Sequence, residues 1–279
     1  MRSESVRGRP APALRGLVAR YDGYRQQGVA PARHLGLPSP FMTVIVTLHE
    51  PLEIARHVDP ARPASRYDAL VGGLHATPVV VAHDGAQSGI QLRVGPLASR
   101  SLFGCPAGEL ASLDVAAADV LGPLAGELHE RLAVADRWQE RFAILDAALS
   151  ARAAPDRGAP AAIAHAWRLL LASGGRTSVA VIAHEVGWSE RHFANRFRQE
   201  IGLTPKLAAR VIRFDRARQA LQADHRSSGR AEIARAAADA GYFDQSHLDR
   251  DFTEFATLSP SRWLAHEFGN VQDDRLLAV

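Results

Sequence analysis

The segment Gly187–Phe197, GWSERHFANRF, returns later in the chain as Gly241–Phe252, GYFDQSHLDRDF. Each copy runs glycine, aromatic ring, small polar residue and histidine, with an apolar residue four positions before a phenylalanine. Each leads into a Leu-(Thr/Ser)-Pro triplet, Leu203–Pro205 and Leu258–Pro260. A chain that writes this pattern twice folds the same unit twice, and the spacing says which unit. In the first copy a helix ends at Val186, and Gly187 permits the left-handed turn that follows. Ser189 is placed to cap the next helix by accepting from a free N–H of its first turn. Phe193, Phe197 and Ile201 then recur four residues apart and face inward, which puts Arg191, Asn195 and Arg198 roughly opposite. In the second copy Gly241 is the turn glycine and Asp244 the cap. Leu248, Phe252 and Phe255 point inward, and Gln245, Asp249 and Arg250 point outward. Glycine to phenylalanine is ten steps in the first copy and eleven in the second, so the second turn holds one extra residue.

The surroundings of the repeat are helical. Lys206 to about Leu221 reads as a linking helix with Leu207, Val211, Phe214 and Leu221 on its inner stripe. Arg210, Arg213 and Arg216 lie on another face. Upstream, AAIAHAWRLLLASGG is a helix ended by glycines. TSVAVIAHEVG is a second one, capped by Thr177 or Ser178, with Val179, Ile182, Ala183 and Val186 on one side. The region 161–268 is therefore expected to be all-α. Earlier in the chain, FMTVIVTLH, YDALVGGL, TPVVVAHDG and SGIQLRVGP are short, rich in Val and Ile, and punctuated by Pro, Gly or Asp. They predict an antiparallel sheet or small barrel over 41–95. Residues 115–150 read as two helices, one striped by Leu121, Leu124, Leu128 and Leu132, the other by Trp138, Phe142, Leu145 and Leu149. ARAAPDRGAP breaks that pattern and predicts a linker over 151–160. The fold class is α+β: a β-rich domain over 19–150 with flanking helices, then the all-α domain. Residues 1–18 read as a disordered basic tail, with a basic arm on a nucleic-acid backbone as the sharper alternative. Residues 269–279 read as a C-terminal tail.

Length and composition fit this division. A chain of 279 residues, 47% hydrophobic and 23% charged, is long enough for two soluble domains. No apolar run approaches a membrane span, and the basic, Pro-rich start lacks the apolar core of a secretory signal. Cys105 is the only cysteine, so no internal disulfide forms, and a reducing cytoplasm is the expected location. Of 33 basic residues, Lys206 alone is lysine. Arginine pairs bidentately with phosphate and base edges, although an Ala- and Arg-rich composition also follows from coding bias.

Helix, glycine turn, and a second helix with an Arg/Asn outer face is the helix-turn-helix pattern, whose second helix enters the DNA major groove. One copy is a weak signal, because any two packed helices mimic it. Two copies joined by a long helix are specific. With IAHEVGWSERHFANRF…GLTP, RFDRARQAL and GYFDQSHLDRDF…LSPSRWL, the stretch from near Ala161 to Phe268 resembles the DNA-binding domain of AraC/XylS-family transcription regulators. The resemblance implies a sequence-specific regulator of double-stranded DNA, with recognition helices in neighbouring major-groove segments, and leans toward activation. It implies an N-terminal regulatory or dimerisation domain, with RNA polymerase, a small-molecule effector and a second copy of the chain as partners. The residues expected to meet DNA are Ser189, Arg191, His192, Asn195, Arg196 and Arg198 in the first unit, and Gln245, Ser246, Asp249 and Arg250 in the second. Three positions depart from the family pattern. Asn195 stands where an arginine is usual, Ala236 replaces the isoleucine matched by Ile182, and Thr257 replaces the glycine matched by Gly202. A β-branched residue at Thr257 is costly if that position needs positive φ.

The two copies differ in charge. From Arg176 to Arg230 eleven basic residues face five acidic ones; from Ala231 to Phe268 three face seven. Phosphate neutralisation supplies most non-specific DNA affinity, so the first unit is expected to anchor DNA. The second would then add one or two base contacts, or meet another protein. In the alternative, Asp251 pairs with a neighbouring arginine and the asymmetry is cosmetic. For the N-terminal domain, GIQLRVGPLASRSLFGCPAGEL looks like the corresponding region of some family members, and a cupin-like barrel is one form it could take. The rival function is a metal-dependent enzyme or sensor fused to a DNA reader. His49, His57, His75 and His83 contain no His-x-His pair, and HEVGW has Trp188 where a zinc-binding His-Glu-x-x-His needs its second histidine. There is no Gly-x-Ser-x-Gly and no phosphate loop. No catalysis, metal or cofactor is therefore expected, and the histidines read as solvated or core. A third reading, a protein-interaction module that has lost DNA, is opposed by Arg191, Arg196, Arg198 and Arg250. Cys105 reads as a structural thiol or a redox sensor. The Leu121–Leu132 stripe would pack on its own sheet or form a dimer contact.

Overall fold

The computed structural model describes residues 2–154 and 157–268. Among the described residues ten strands form two antiparallel sheets. The larger has the order β1 (Arg2–Gly8), β2 (Val18–Gln27), β9 (Ala86–Val94), β4 (Met42–Thr47), β7 (Ala69–Gly72), β10 (Asp114–Ala116). The smaller has the order β3 (Ala32–Gly36), β8 (Val79–His83), β5 (Leu52–Arg56), β6 (Ser65–Tyr67). Leu52, Ile54, Val79 and Val81 of the smaller sheet pack with Leu70 of the larger, so the two lie face to face. Successive residues of a strand point to opposite faces, and β4 and β9 use this strictly. Val44, Val46, Leu92 and Val94 face outward onto a helical layer. Thr43, Ile45, Gln91 and Arg93 face the space between the sheets.

The helical layer consists of α1 (Ser99–Phe103), α2 (Ala117–Leu121), α3 (Leu124–Val134) and α4 (Trp138–Arg152). The first of the two helices expected here is two, because Gly122 (φ 62°) and Pro123 break the run. Leu121, Leu128 and Leu132 are buried, and Leu121 and Leu128 face the outer side of the larger sheet, so the stripe packs within its own domain.

The reading of residues 1–18 as a disordered tail is corrected. β1 pairs with β2 over its whole length, from Arg2↔Gln27 to Gly8↔Tyr21. A short turn then buries Leu14 completely, and the Ala11 N–H donates to Asp146 Oδ1 at 2.8 Å. The physical reason is that main-chain hydrogen bonds hold β1, and RSESVRG needs almost no apolar content to supply them. The proposed linker is also shorter than 151–160. Residues 151 and 152 end α4, and the Ala154 N–H donates to Ser101 O at 3.4 Å. Positions 155 and 156 of that linker, and the tail 269–279, lie outside the described residues.

Among the described residues seven helices follow: α5 (Ala161–Ala172), α6 (Val179–Glu185), α7 (Glu190–Ile201), α8 (Pro205–Ser228), α9 (Ile233–Ala240), α10 (Gln245–Ala256) and α11 (Pro260–Phe268). The linking helix α8 runs about two turns beyond Leu221, to Ser228, where Gly229 (φ 71°) caps it. Gly187 (φ 73°) and Gly241 (φ 89°) make the two expected left-handed turns. Phe193, Phe197 and Ile201 of α7 are fully buried, as are Leu248, Phe252 and Phe255 of α10. Phe214 of α8 packs edge-on against Phe252 and Phe255, with centroids 4.9 and 5.3 Å apart.

The two domains are not independent bodies on a string. One buried apolar cluster runs from the larger sheet into the C-terminal helices. The turn Ala107–Leu110 packs on the end of α7 so closely that a Cβ on Gly108 would stand 2.1 Å from Gln199 O. Beside it Arg100 donates to both Glu200 oxygens at 2.8 and 2.9 Å.

Candidate nucleic-acid interface and interdomain cavity

Each recognition helix is positioned by local chemistry. Ser178 caps α6 and Ser189 caps α7, each accepting one N–H at 3.3 Å. Asp244 caps α10 more tightly, accepting from His247 N at 2.7 Å. With the buried face of α7 fixed by its aromatic residues, Arg191, His192, Asn195, Arg196 and Arg198 are all exposed, as is Ser189. Arg196 donates to Gln199 at 3.1 Å; Gln199 shares this exposed side and was missed in the sequence.

The second unit presents a different surface. Gln245, Ser246 and Arg250 are exposed, while Asp249 is half-buried, with Oδ1 enclosed and unpartnered. Asp251 is not on the surface. It lies 2% exposed, accepting from Arg210 at 2.6 Å and from the Tyr242 hydroxyl at 2.9 Å. Arg210 also donates to Glu254 at 3.0 Å, and these two acids hold its guanidinium above the usual arginine value, Glu254 contributing most. Burial, reinforced by Asp251, likewise raises the Tyr242 hydroxyl well above the ordinary tyrosine value. Two of the acids that make the second half look negative therefore share the single positive charge of Arg210, which offsets one of them. That one unit of the asymmetry is cosmetic. Between the units runs a groove of about 670 Å³, with Arg176, Lys206, Arg213 and Arg250 on its walls.

A second concavity lies between the sheets and opens onto the C-terminal domain. Its volume is about 270 Å³. The inward faces of β2 and β9 give it Arg20, Asp22, Gln91 and Arg93, and α8 and α11 close it with Arg218 and Trp263. Arg93 lies over the Phe41 ring at 4.5 Å and reaches Asp215 at 3.4 Å. Burial works against its charge and Asp215 supports it. Asp215 also accepts from Arg218 and, at 2.6 Å, from Gln219. Burial, together with His83 and His266, pulls His34 on the cavity wall down to about 4, so its ring is neutral at pH 7. Asp114, also on the cavity wall, has its Oδ2 2.8 Å from His57 Nδ1, both groups buried. The sequence signal for this cavity was present but unread: Gln91 and Arg93 alternate with Ile90, Leu92 and Val94, and one face of a core strand should not be polar. Among the described residues no group of three or more His, Cys, Asp or Glu is placed to hold a metal ion, and none of the helices is long and apolar enough to cross a membrane. Burial, with Glu109 nearby, raises the Cys105 thiol, which opposes the reactive thiolate a redox sensor needs.

Two capped recognition helices on a shared scaffold, joined to a β-rich domain, define a DNA-binding transcription regulator. Comparison with known proteins agrees. Residues 182–266 match the family model described as a helix-turn-helix domain. No curated protein matches the chain by sequence. Among solved structures, ToxT from Vibrio cholerae aligns over 88% of this chain and 97% of its own, at 11% identity and a TM-score of 0.51. ToxT of Vibrio cholerae strain SCE256, solved with an unsaturated fatty acid bound, aligns over 91% and 97%, at 13% identity and a TM-score of 0.52. At such identities the likeness is one of fold. The doubled motif and the matched segment thus make the C-terminal part of the chain a helix-turn-helix domain, within a fold that the whole chain shares with ToxT.

Proposed function

We propose that this protein binds a specific duplex through α7 and α10, set in neighbouring major-groove segments, and that a small anionic amphiphile in the interdomain cavity sets its DNA affinity. Arg191, Asn195, Arg196 and Arg198 supply the anchoring surface. Arg250, Gln245 and Ser246 supply a smaller number of base contacts. Arg176 and Lys206, on the groove between the units, meet the phosphates that pass there. RNA polymerase is the expected downstream partner.

The observation that carries the regulatory part is that one cavity is walled by both domains. Arg93 of the β-domain and Arg218 of α8 meet at the single carboxylate of Asp215. An entering carboxylate would compete for the same two guanidiniums, while Ile45, Val79, Val81 and Trp263 receive an apolar body. A volume of about 270 Å³ suits a small ligand. The fold-sharing ToxT has been solved with an unsaturated fatty acid, a ligand of this chemistry. The test is duplex binding, on a site selected from random DNA, with and without a series of short- to medium-chain fatty acids. At least one member should change Kd by about 5-fold or more, a normal coupling magnitude, and Arg93→Gln should abolish the change. If no member alters Kd in the wild type, this effector class is wrong.

A further inference from the structure

The second turn holds one residue more than the first, and the structure shows which. Both turns close identically up to the aromatic residue after the glycine. Trp188 N–H donates to Ala183 O at 2.9 Å, and Tyr242 N–H to Ala237 O at 3.0 Å. Trp188 then meets His192 edge-on at 4.8 Å, and Tyr242 meets His247 edge-on at 5.1 Å. In the first copy the capping Ser189 follows at once. In the second, Phe243 is inserted before the capping Asp244.

Phe243 is 93% exposed, the most exposed of the large apolar side chains among the described residues. The residue before a helix cap normally packs on the fourth helical residue. Here that residue is Leu248, and it is fully buried without help from Phe243. The fold thus gives this ring no work, and leaving it in water forgoes the stabilisation that burial would bring. Its place does suggest work. It immediately precedes α10, beside the exposed Gln245 and Ser246, and recognition helices press their N-terminal residues against base edges in the major groove. The only chemical feature there that rewards an apolar side chain is the thymine C5 methyl. The unit is also poor in free cations, since Arg250 is the only arginine of α10. Apolar contact is one of the few ways left for it to gain affinity.

We propose that Phe243 is a specificity residue that packs on a thymine methyl in the half-site read by α10. This rests on the DNA-binding reading above. The test first selects a binding site from random duplexes and measures wild-type Kd. Each thymine is then replaced in turn by deoxyuridine, which removes only the methyl. At one thymine, or two adjacent ones, the replacement should weaken the wild type about 4-fold, the factor for one buried methyl. Phe243→Ala should bind the thymine duplex more weakly by a similar factor and be indifferent to the replacement. Phe243→Leu should keep part of the effect, and thermal melting should show all three proteins equally folded. Failure of the wild type to select any duplex would instead sink the DNA-binding reading. A selected site with no methyl-sensitive thymine, or the same sensitivity in Phe243→Ala, overturns the Phe243 assignment alone. So does a Phe243→Ala protein with unchanged Kd but reduced transcription, which would point to a protein contact.

Discussion

At Asp251 a carboxylate with 3% of its side chain exposed is held by Arg210, whose own side chain is 25% exposed, and by the Tyr242 hydroxyl. A buried charge of this kind is costly to strand and cheap to neutralise. Arg210→Ala should therefore lower unfolding free energy by about 2 kcal/mol, a value below that of a fully buried pair because Arg210 reaches solvent. Asp251→Asn should cost less, since the amide oxygen still accepts from Tyr242. Denaturant melts check both. If Asp251 were a surface charge repelling phosphate, Asp251→Asn would instead tighten duplex binding and leave stability alone. Thr257 shows the same distinction between composition and environment. Its φ of 58° is the left-handed value that Gly202, at 96°, adopts in the first copy. The strain anticipated for a β-branched residue there is present, and the Thr257 hydroxyl bonds the Ala256 carbonyl at 2.6 Å.

At the scale of elements, helices were legible because their signals are local. Caps, turn glycines and inward phenylalanines recur within a few residues, so α7 and α10 could be placed from GWSERHFANRF and GYFDQSHLDRDF, and α6 from TSVAVIAHEVG. Strands β4, β7, β8 and β9 were legible for the same reason, each being an apolar run bounded by turn residues. β1 was not, because RSESVRG is polar and its order comes from a partner ten or more residues away. The inward polar face of β9 was visible as an alternation, but its meaning depended on α8 and α11, far along the chain. If β1 is structural, deleting residues 2–8 should lower stability by about 2 kcal/mol or more. It should also promote association through the bared edge of β2. Melting and sedimentation measure both, and an unchanged melting temperature would restore the disordered-tail reading.

Across the whole molecule, both domains converge on α7 and α8. Arg100 grips the end of the first recognition helix through Glu200, and Arg93 reaches the linking helix through Asp215. The first unit is thus both the more basic and the one held by the N-terminal domain, while the second is trimmed at Ala236, exposes Phe243, and has Arg250 as the one arginine of α10. The account's central claim is that two helix-turn-helix units of one fold bind DNA with unequal roles. Salt-titrated duplex binding of the wild type, Arg191→Ala and Arg250→Ala tests it most directly. Arg191→Ala should weaken binding across sequences and reduce the salt slope by about 1. Arg250→Ala should leave the slope nearly unchanged and relax preference at one base pair. Equal losses of affinity and slope in the two variants would contradict the claim.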